Sequence, residues 1–456
     1  MKRHRIIAEV QREEAPFSIQ PNPGCQDTRI DFLPIGAQQL RFGLGSFVSQ
    51  LEGLGLSLTE TALDLLILAT CVYAADMRIN RYSESQDGWT REIEMFLPVS
   101  APSVWKPLTS RLADALRFLT GDRWTIDFRG MDKSWKTLLA MNEMKSAKEN
   151  SSFSCVSLLS GGLDSYIGAI DLLSNGEKPL FVSHSGEAIS TQHQVLCVDN
   201  LKDKYGKSAL GHIRTWLTID DGLVENVESE MTQRSRSFLF FTLAAAAASA
   251  RSSATSIYVP ENGLISLNVP LDPLRLGALS TRTTHPYFVG SFNEVIQALG
   301  INAVLTNPYQ FQTKGEMVLS CKDKTLLGVT AKDTMSCSSP TKGRWKGETP
   351  KHCGYCVPCL IRRAALLRGF GKDDTTYWYN DLQSKILNPQ RSEGKDIRSF
   401  QLAWSRLKAR PAIAELLIHK SGPLNHLKSE IPAFSRVYLD GMREVGEFLQ
   451  DVVVRS

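Results

Sequence analysis

The stretch that most constrains this chain is Ser160-Gly-Gly-Leu-Asp-Ser165, set between an apolar strand-like run, Cys155–Leu159, and a helix-like run, Tyr166–Ser174. Strand, glycine turn and helix in that order leave backbone N–H groups free at the helix start, where the helix dipole also favours negative charge. Gly161 and Gly162 let the backbone come close to a phosphate, and Ser160 and Ser165 add hydroxyl donors. Asp164 would repel that phosphate unless a divalent cation lay between them, so the turn also predicts Mg²⁺. The pattern differs from the glycine-rich loop with a lysine found in many nucleotide-hydrolysing proteins. An ordinary serine–glycine turn is the bland alternative, and the full hexapeptide in this setting is too specific for it.

Downstream of the turn, apolar strand-like runs alternate with helix-like ones. Strands are predicted at Cys155–Leu159, Pro179–His184, His212–Leu217, Ser256–Pro260 and Ala303–Thr306, and helices at Tyr166–Ser174, Ser190–Lys204, Arg236–Ala250 and Asn293–Leu299. Such alternation builds an α/β fold with a parallel sheet covered on both faces and ligands at the carboxyl ends of its strands. Residues 151–370 are read as this domain. Residues 1–150 carry no catalytic motif and read as a small α+β accessory domain. Its expected elements are a strand over Arg5–Val10, a helix opened by the capping box Ser57-Leu-Thr-Glu60 and running to about Asp76, a helix from about Pro107 to Gly121, and a strand over Trp124–Phe128. Met144–Ser152 is the expected linker. Residues 371–456 read as a helical tail, with helices over Lys395–Lys408, Pro411–Lys420 and Phe434–Val452. Ala244–Ala248 predicts a helix packed tightly against the sheet.

Composition narrows the partners. A net charge of +4 on 456 residues is too small to argue for nucleic acid. The runs Leu63–Ala75 and Phe238–Ala250 are too short to span a bilayer, and the basic start has no apolar core behind it. Nine cysteines without an export signal predict reduced thiols in the cytoplasm rather than a disulfide framework. Cys353, Cys356 and Cys359 are spaced by two residues each, and Cys337 lies upstream. Four thiolates suit tetrahedral zinc with no open position, hence a structural ion; an iron–sulfur cluster is the competing reading. The ion would pin a loop carrying Lys342, Arg344 and Lys346, with His352 beside it as a solvent-facing loop residue. Cys25, Cys71, Cys155, Cys197 and Cys321 read as packing residues.

Taken together, Ser160–Ser165 resembles the phosphate-binding PP-loop of the ATP pyrophosphatase superfamily. Over roughly residues 153–370 the chain resembles the 7-cyano-7-deazaguanine synthase (QueC) family. The four cysteines match that family's zinc ligands. Thr313-Lys-Gly-Glu316 after Asn307-Pro-Tyr, and Arg236 opening a helix, match weaker stretches, although Ser237 stands where asparagine is usual. Ser183-His-Ser-Gly-Glu187 departs from the family's adenine-contacting sequence. The extra N-terminal domain, the tail, Glu261-Asn-Gly263 and Ser280–Pro286 are similar to the longer QatC subgroup of antiphage defence (Qat) operons.

The resemblance implies a Rossmann-like, HUP-type domain that uses ATP to adenylate a 7-deazaguanine carboxylate. The activated acyl group then passes to nitrogen, giving an amide, a nitrile or a conjugate on the N-terminus of a partner protein. In that scheme Ser160, Gly161, Gly162, Leu163 and Ser165 hold the pyrophosphate, and Asp164 organises Mg²⁺. Arg236 joins the nucleotide site, Lys314 and Arg282 meet phosphate or carboxylate, and Glu261 and Asn262 hydrogen-bond a purine-like base. The N-terminal domain and tail would dock the protein partner or stabilise a homo-oligomer. The rival readings are a tRNA-modifying enzyme, a non-catalytic nucleotide-binding module and a structural subunit.

Overall fold

The computed structural model describes residues 3–10, 17–139, 153–186, 188–230, 232–251, 253–272, 282–342, 347 and 349–455. The expected linker Met144–Ser152 lies outside these residues, as do Glu187, Ser280, Thr281, Arg344 and Lys346. Two sheets organise the fold, and every strand pair in both is parallel.

The first sheet has the order β2-β1-β3-β4, from β1 (Arg3–Glu9), β2 (Cys25–Asp31), β3 (Glu92–Val99) and β4 (Arg123–Gly130). An α+β arrangement was expected here; the parallel pairing makes this region α/β instead, because helices rather than hairpin turns carry the chain from β2 to β3 and from β3 to β4. The longest of these, α1 (Glu60–Arg78), is buried on nearly every side. Its cap is Thr59, whose side chain accepts from Ala62 N, rather than the Ser57 of the expected capping box. Asp64 sits inside the apolar body of α1 with both oxygens occupied: Ser100 N (2.9 Å), Ser100 Oγ (2.6 Å), and the indoles of Trp105 (3.2 Å) and Trp135 (2.7 Å) donate to it. A buried carboxylate is tolerated only with such partners, and this one ties three segments to α1. Helix α2 (Thr109–Thr120) precedes β4 and ends at Gly121 as expected.

The second sheet has the order β7-β6-β5-β8-β9, from β5 (Cys155–Leu158), β6 (Pro179–Ser185), β7 (Gly211–Trp216), β8 (Thr255–Tyr258) and β9 (Ala303–Thr306). All five were expected, because short apolar runs bounded by turns are the signature of buried parallel strands. Side chains alternate between faces: Val156, Leu158 and Val182 enter one core, while Leu159 and Phe181 enter another. Helices α3 (Leu163–Ser174) and α4 (Ala188–Tyr205) cover the second face; α5 (Arg236–Ser249) and α6 (Pro286–Ala298) cover the first. Helix α6 begins earlier than expected, since His285 caps it and Pro286 occupies its first turn.

Helix α5 carries the alanine run, buried throughout, and packs on both the sheet and α1. Small side chains let those two helices lie close. One apolar core therefore runs from the first sheet through α1 and α5 into the second, across the 151 boundary.

Further helices, among them α7 (Lys314–Ser320), α8 (Val357–Phe370), α9 (Ser392–Ala409) and α10 (Ile431–Phe448), build the second sheet's far side and the tail. The tail has a core of its own, shared with the cysteine cluster and α8. It presses on the segment after β8. A Cβ on Gly263 would lie 2.3 Å from Gln310 O and 2.8 Å from Val437 of α10, so only glycine fits there. Among the described residues no helix is long and apolar enough to cross a membrane.

Candidate nucleotide pocket and metal centre

The order of the second sheet reverses between β5 and β8, and the crevice beyond the carboxyl ends of these two strands is where such sheets take ligands. The glycine turn follows β5. Gly161 has φ +82°, a conformation in which other residues are strained, and a Cβ there would also meet Gln194 N at 3.0 Å. Gly162 caps α3, so Leu163, Asp164 and Ser165 form the helix's first turn, earlier than the expected start at Tyr166. Ser165 Oγ accepts from Ser160 N (3.2 Å) and donates to Gly162 O (3.0 Å). Gly162 N and Leu163 N donate only to hydroxyls, Ser160 Oγ at 3.3 Å and Ser336 Oγ at 3.4 Å. Bonds this long to neutral oxygens are weak, and a charged phosphate oxygen would outcompete them.

A cavity of about 460 Å³ opens here. Of the residues expected in the site, Ser160, Ser165, Arg236 and Glu261 line it. Arg236, at the start of α5, donates to His184 O (3.4 Å). Glu261 follows β8; Asn307 holds its backbone through both N and O, and Thr284 Oγ1 donates to its carboxylate. Burial, reinforced by the charge of Asp164, pushes the Glu261 carboxyl up to about 7.

Asp164, Asn262 and Lys314 come together as a buried cluster that is not part of the cavity wall. Lys314 Nζ lies 2.9 Å from Asp164 Oδ1, and Asn262 N and Nδ2 donate to Asp164 Oδ2 (3.1 and 2.7 Å). Asn262 Oδ1 accepts from Ile265 N and caps the next short helix, so both ends of this fully buried side chain are engaged within the protein and it does not reach the cavity wall. Nor does Asp164 present an open carboxylate to a cation. Its residues do not fit a protein-held Mg²⁺, and magnesium would have to arrive with a nucleotide. Thr313 and Glu316 form a capping box on α7, and Glu444 of α10 accepts from Gly315 N (3.2 Å), fixing the turn that aims Lys314. Arg282 is directed elsewhere: it stacks on Phe118 of α2 (4.6 Å) and donates to Phe118 O (2.9 Å), outside the cavity wall.

The four expected cysteines gather with their sulfurs all within 4.8 Å of one another, three of them buried. The Cys337–Cys356 and Cys353–Cys359 sulfurs are 3.9 Å apart. A tetrahedral ion with bonds of about 2.3 Å holds its sulfurs about 3.8 Å apart, so the set fits a single metal ion such as zinc. Backbone N–H groups of Cys353, Cys356 and Ser339 point at these sulfurs (3.3–3.4 Å), which favours thiolates. His352 was expected to face solvent; it is instead buried, its Nε2 accepting from Ser336 N (3.1 Å). Met335 N donates to Gly161 O (2.8 Å), and residues 335–338 line the cavity, so the loop that carries Cys337 forms part of the pocket wall.

Sequence reasoning missed Gln233, Arg234, Thr284 and Ser336, which also line the cavity. Arg234 stands two residues before Arg236, and that pairing was the only signal available for it. No protein-family model and no curated protein matches the chain.

Proposed function

We propose that this chain is an ATP-dependent adenylating enzyme of the QueC-like kind, acting on a 7-deazaguanine-type carboxylate. The observation that carries the reading is the cavity at the switch between β5 and β8, walled by the serines of the glycine turn on one side and by Arg236 and Glu261 on the other. In this scheme a carboxylate oxygen attacks the α-phosphorus of ATP and pyrophosphate leaves. A nitrogen nucleophile then attacks the acyl carbon, loses a proton, and AMP leaves. The N–H groups of Gly162 and Leu163 take the leaving pyrophosphate. Glu261, whose carboxyl is half ionised near neutrality, meets the polar edge of the base. The Asp164–Lys314–Asn262 cluster acts indirectly, locking the start of α3 to the segment after β8 and to α7. Zinc at the four cysteines holds residues 335–338 against the turn and takes no part in the chemistry.

The nitrogen donor proposed is the N-terminus of a partner protein in an antiphage defence system. A flexible chain end needs a docking surface, and the first sheet with its helices and the tail exceed what a purely ammonia-using enzyme needs. Incubation with Mg-ATP, with and without 7-carboxy-7-deazaguanine, is expected to give AMP and pyrophosphate only with the carboxylate. Failure to form AMP under both conditions, or AMP formation that ignores the carboxylate, would remove this reading. A mass increase on the co-expressed neighbouring protein separates conjugation from nitrile synthesis with ammonia.

A further inference from the structure

The segment that leads into α5 is held mainly by the N-terminal layer, with Arg236 alone, among the described residues, reaching the sheet at His184 O. Arg78 Nη1 donates to Ser229 Oγ (3.1 Å), Asn80 Nδ2 to Ser229 O (3.3 Å), Glu230 N to Met77 O (2.9 Å) and Arg81 N to Glu230 Oε2 (2.9 Å). Ser235 N donates to Asp76 Oδ2 (2.7 Å). Asp76 belongs to a buried assembly in which Arg81 and Arg91 each bind both Asp76 and Asp122 at 2.7–3.0 Å. Two arginines neutralise two aspartates there, so the assembly has no charge left to offer a neighbour.

Arg234 and Arg236 flank this anchor, and both line the cavity. Arg234 lies over the Trp89 ring (4.0 Å) and donates to Thr120 O (3.3 Å), which fixes its direction. Among the described residues, neither Arg234 nor Arg236 makes a hydrogen bond or ion pair with a carboxylate; their partners are backbone carbonyls. Among the described residues that line the cavity, Glu261 is the only acid. Burial, then the nearby Arg81, pulls the Arg234 guanidinium down to about 10, which leaves it charged at neutral pH. A half-buried cation held in place without a counter-charge is unfavourable until an anion joins it.

We propose that Arg234 binds an oxyanion, carboxylate or phosphate, of the ligand that fills this cavity, and that the N-terminal layer is a positioning part of the pocket. The guanidinium fork matches either group in a bidentate manner. This rests on the functional reading above for the identity of the ligand, but not for the presence of an anion site. The N-terminal layer thereby acquires a role at the site that is independent of any docking partner.

The test uses the full chain, with calorimetric titration of pyrophosphate, Mg-ATP and 7-carboxy-7-deazaguanine against wild type, Arg234→Gln and Arg234→Lys. Arg234→Gln is expected to weaken at least one of the three by roughly 10- to 100-fold, the worth of a charge-assisted hydrogen bond. Arg234→Lys should recover part of that loss, which a purely structural defect would not. Loss for pyrophosphate and ATP alone assigns the phosphate, and loss for the carboxylate alone assigns the acyl substrate; both support the site. Wild-type affinity of Arg234→Gln for all three, at an unchanged melting temperature, overturns it, as does a wild-type chain that binds none of them. A wild-type chain that binds pyrophosphate but makes no AMP sinks adenylation and leaves the anion site standing.

Discussion

Residues 234–236 touch two ionic environments at once, and the contrast between them is instructive. On the N-terminal side, Asp76, Arg81, Arg91 and Asp122 form a closed set, buried, equal in charge and with every carboxylate oxygen bonded. On the other side, Arg234, Arg236 and Glu261 face a cavity whose described lining has cations in excess and an acid shifted toward neutrality. Both are built from arginines and carboxylates. A balanced set with no free volume can only hold segments together, whereas an unbalanced set beside free volume is arranged for something that brings the missing charge. The loop that carries Cys337 belongs to the second environment, since it forms part of the cavity wall.

The largest effect expected is therefore at the metal. Cys356→Ser should release the loop around Cys337 and Cys353 and destabilise the chain by as much as about 10 kcal/mol, the order of magnitude that a structural zinc contributes in small sites. Metal analysis should give one zinc per wild-type chain, and visible absorption from an iron–sulfur cluster would refute zinc. Hydrogen exchange on chelated protein should show the cavity wall opening while the amides around Asp76 and Asp122 stay protected. If both environments open together, the contrast between them fails.

Next comes the closed set itself. Asp122→Ala leaves two buried arginines sharing one aspartate and should cost about 3–5 kcal/mol in denaturant unfolding. A cost below about 1 kcal/mol would mean that water reaches this assembly and that it is not closed. Asp164→Asn sits between the two cases. The substitution keeps an acceptor for Asn262 but removes the partner of Lys314, so AMP formation should fall about 100-fold from displacement of the turn. Its stability cost should be smaller, about 1–3 kcal/mol, and wild-type turnover would show that the cluster does not set the geometry of the turn.

A last effect, spread over more than two pH units, comes from Glu261. The folded chain keeps a proton on Glu261 up to about 7, whereas the free side chain releases it near 4.5. The folded state thus holds more protons between these values, and stability should fall as pH rises from about 4.5 to 7, by on the order of 3 kcal/mol, then level off. Glu261→Gln should remove that slope, measured as unfolding free energy at several pH values. A slope that persists in the variant places its origin elsewhere.

What the sequence revealed follows the range of the interactions involved. The glycine turn, the strands β5–β9 and the four cysteines are local patterns, legible because backbone geometry and ligand spacing act over a few residues. Strand β2 was invisible: Cys-Gln-Asp-Thr-Arg-Ile-Asp is a polar edge strand that buries little more than Thr28 and Ile30. The parallel pairing of the first sheet followed from no single segment. Asp164 reads as an exposed turn residue until Asn262 and Lys314, about a hundred or more positions away, close over it. Arg282 likewise reads as a free cation until Phe118 takes it. Arg234 carried no motif at all; its meaning comes from the balanced charges beneath it.

The shared core also has a consequence for how the protein is made. Helix α1 is finished at Arg78, but the α5 surface that covers it ends at Ser249, 171 residues later (249 − 78). At the usual 5–20 residues per second, the ribosome takes roughly 10–30 s to deliver that cover. Throughout that interval the nascent chain carries an apolar helix face with no native partner. Expression should respond to chaperone supply and to translation speed between codons 78 and 249 more than to either outside that window.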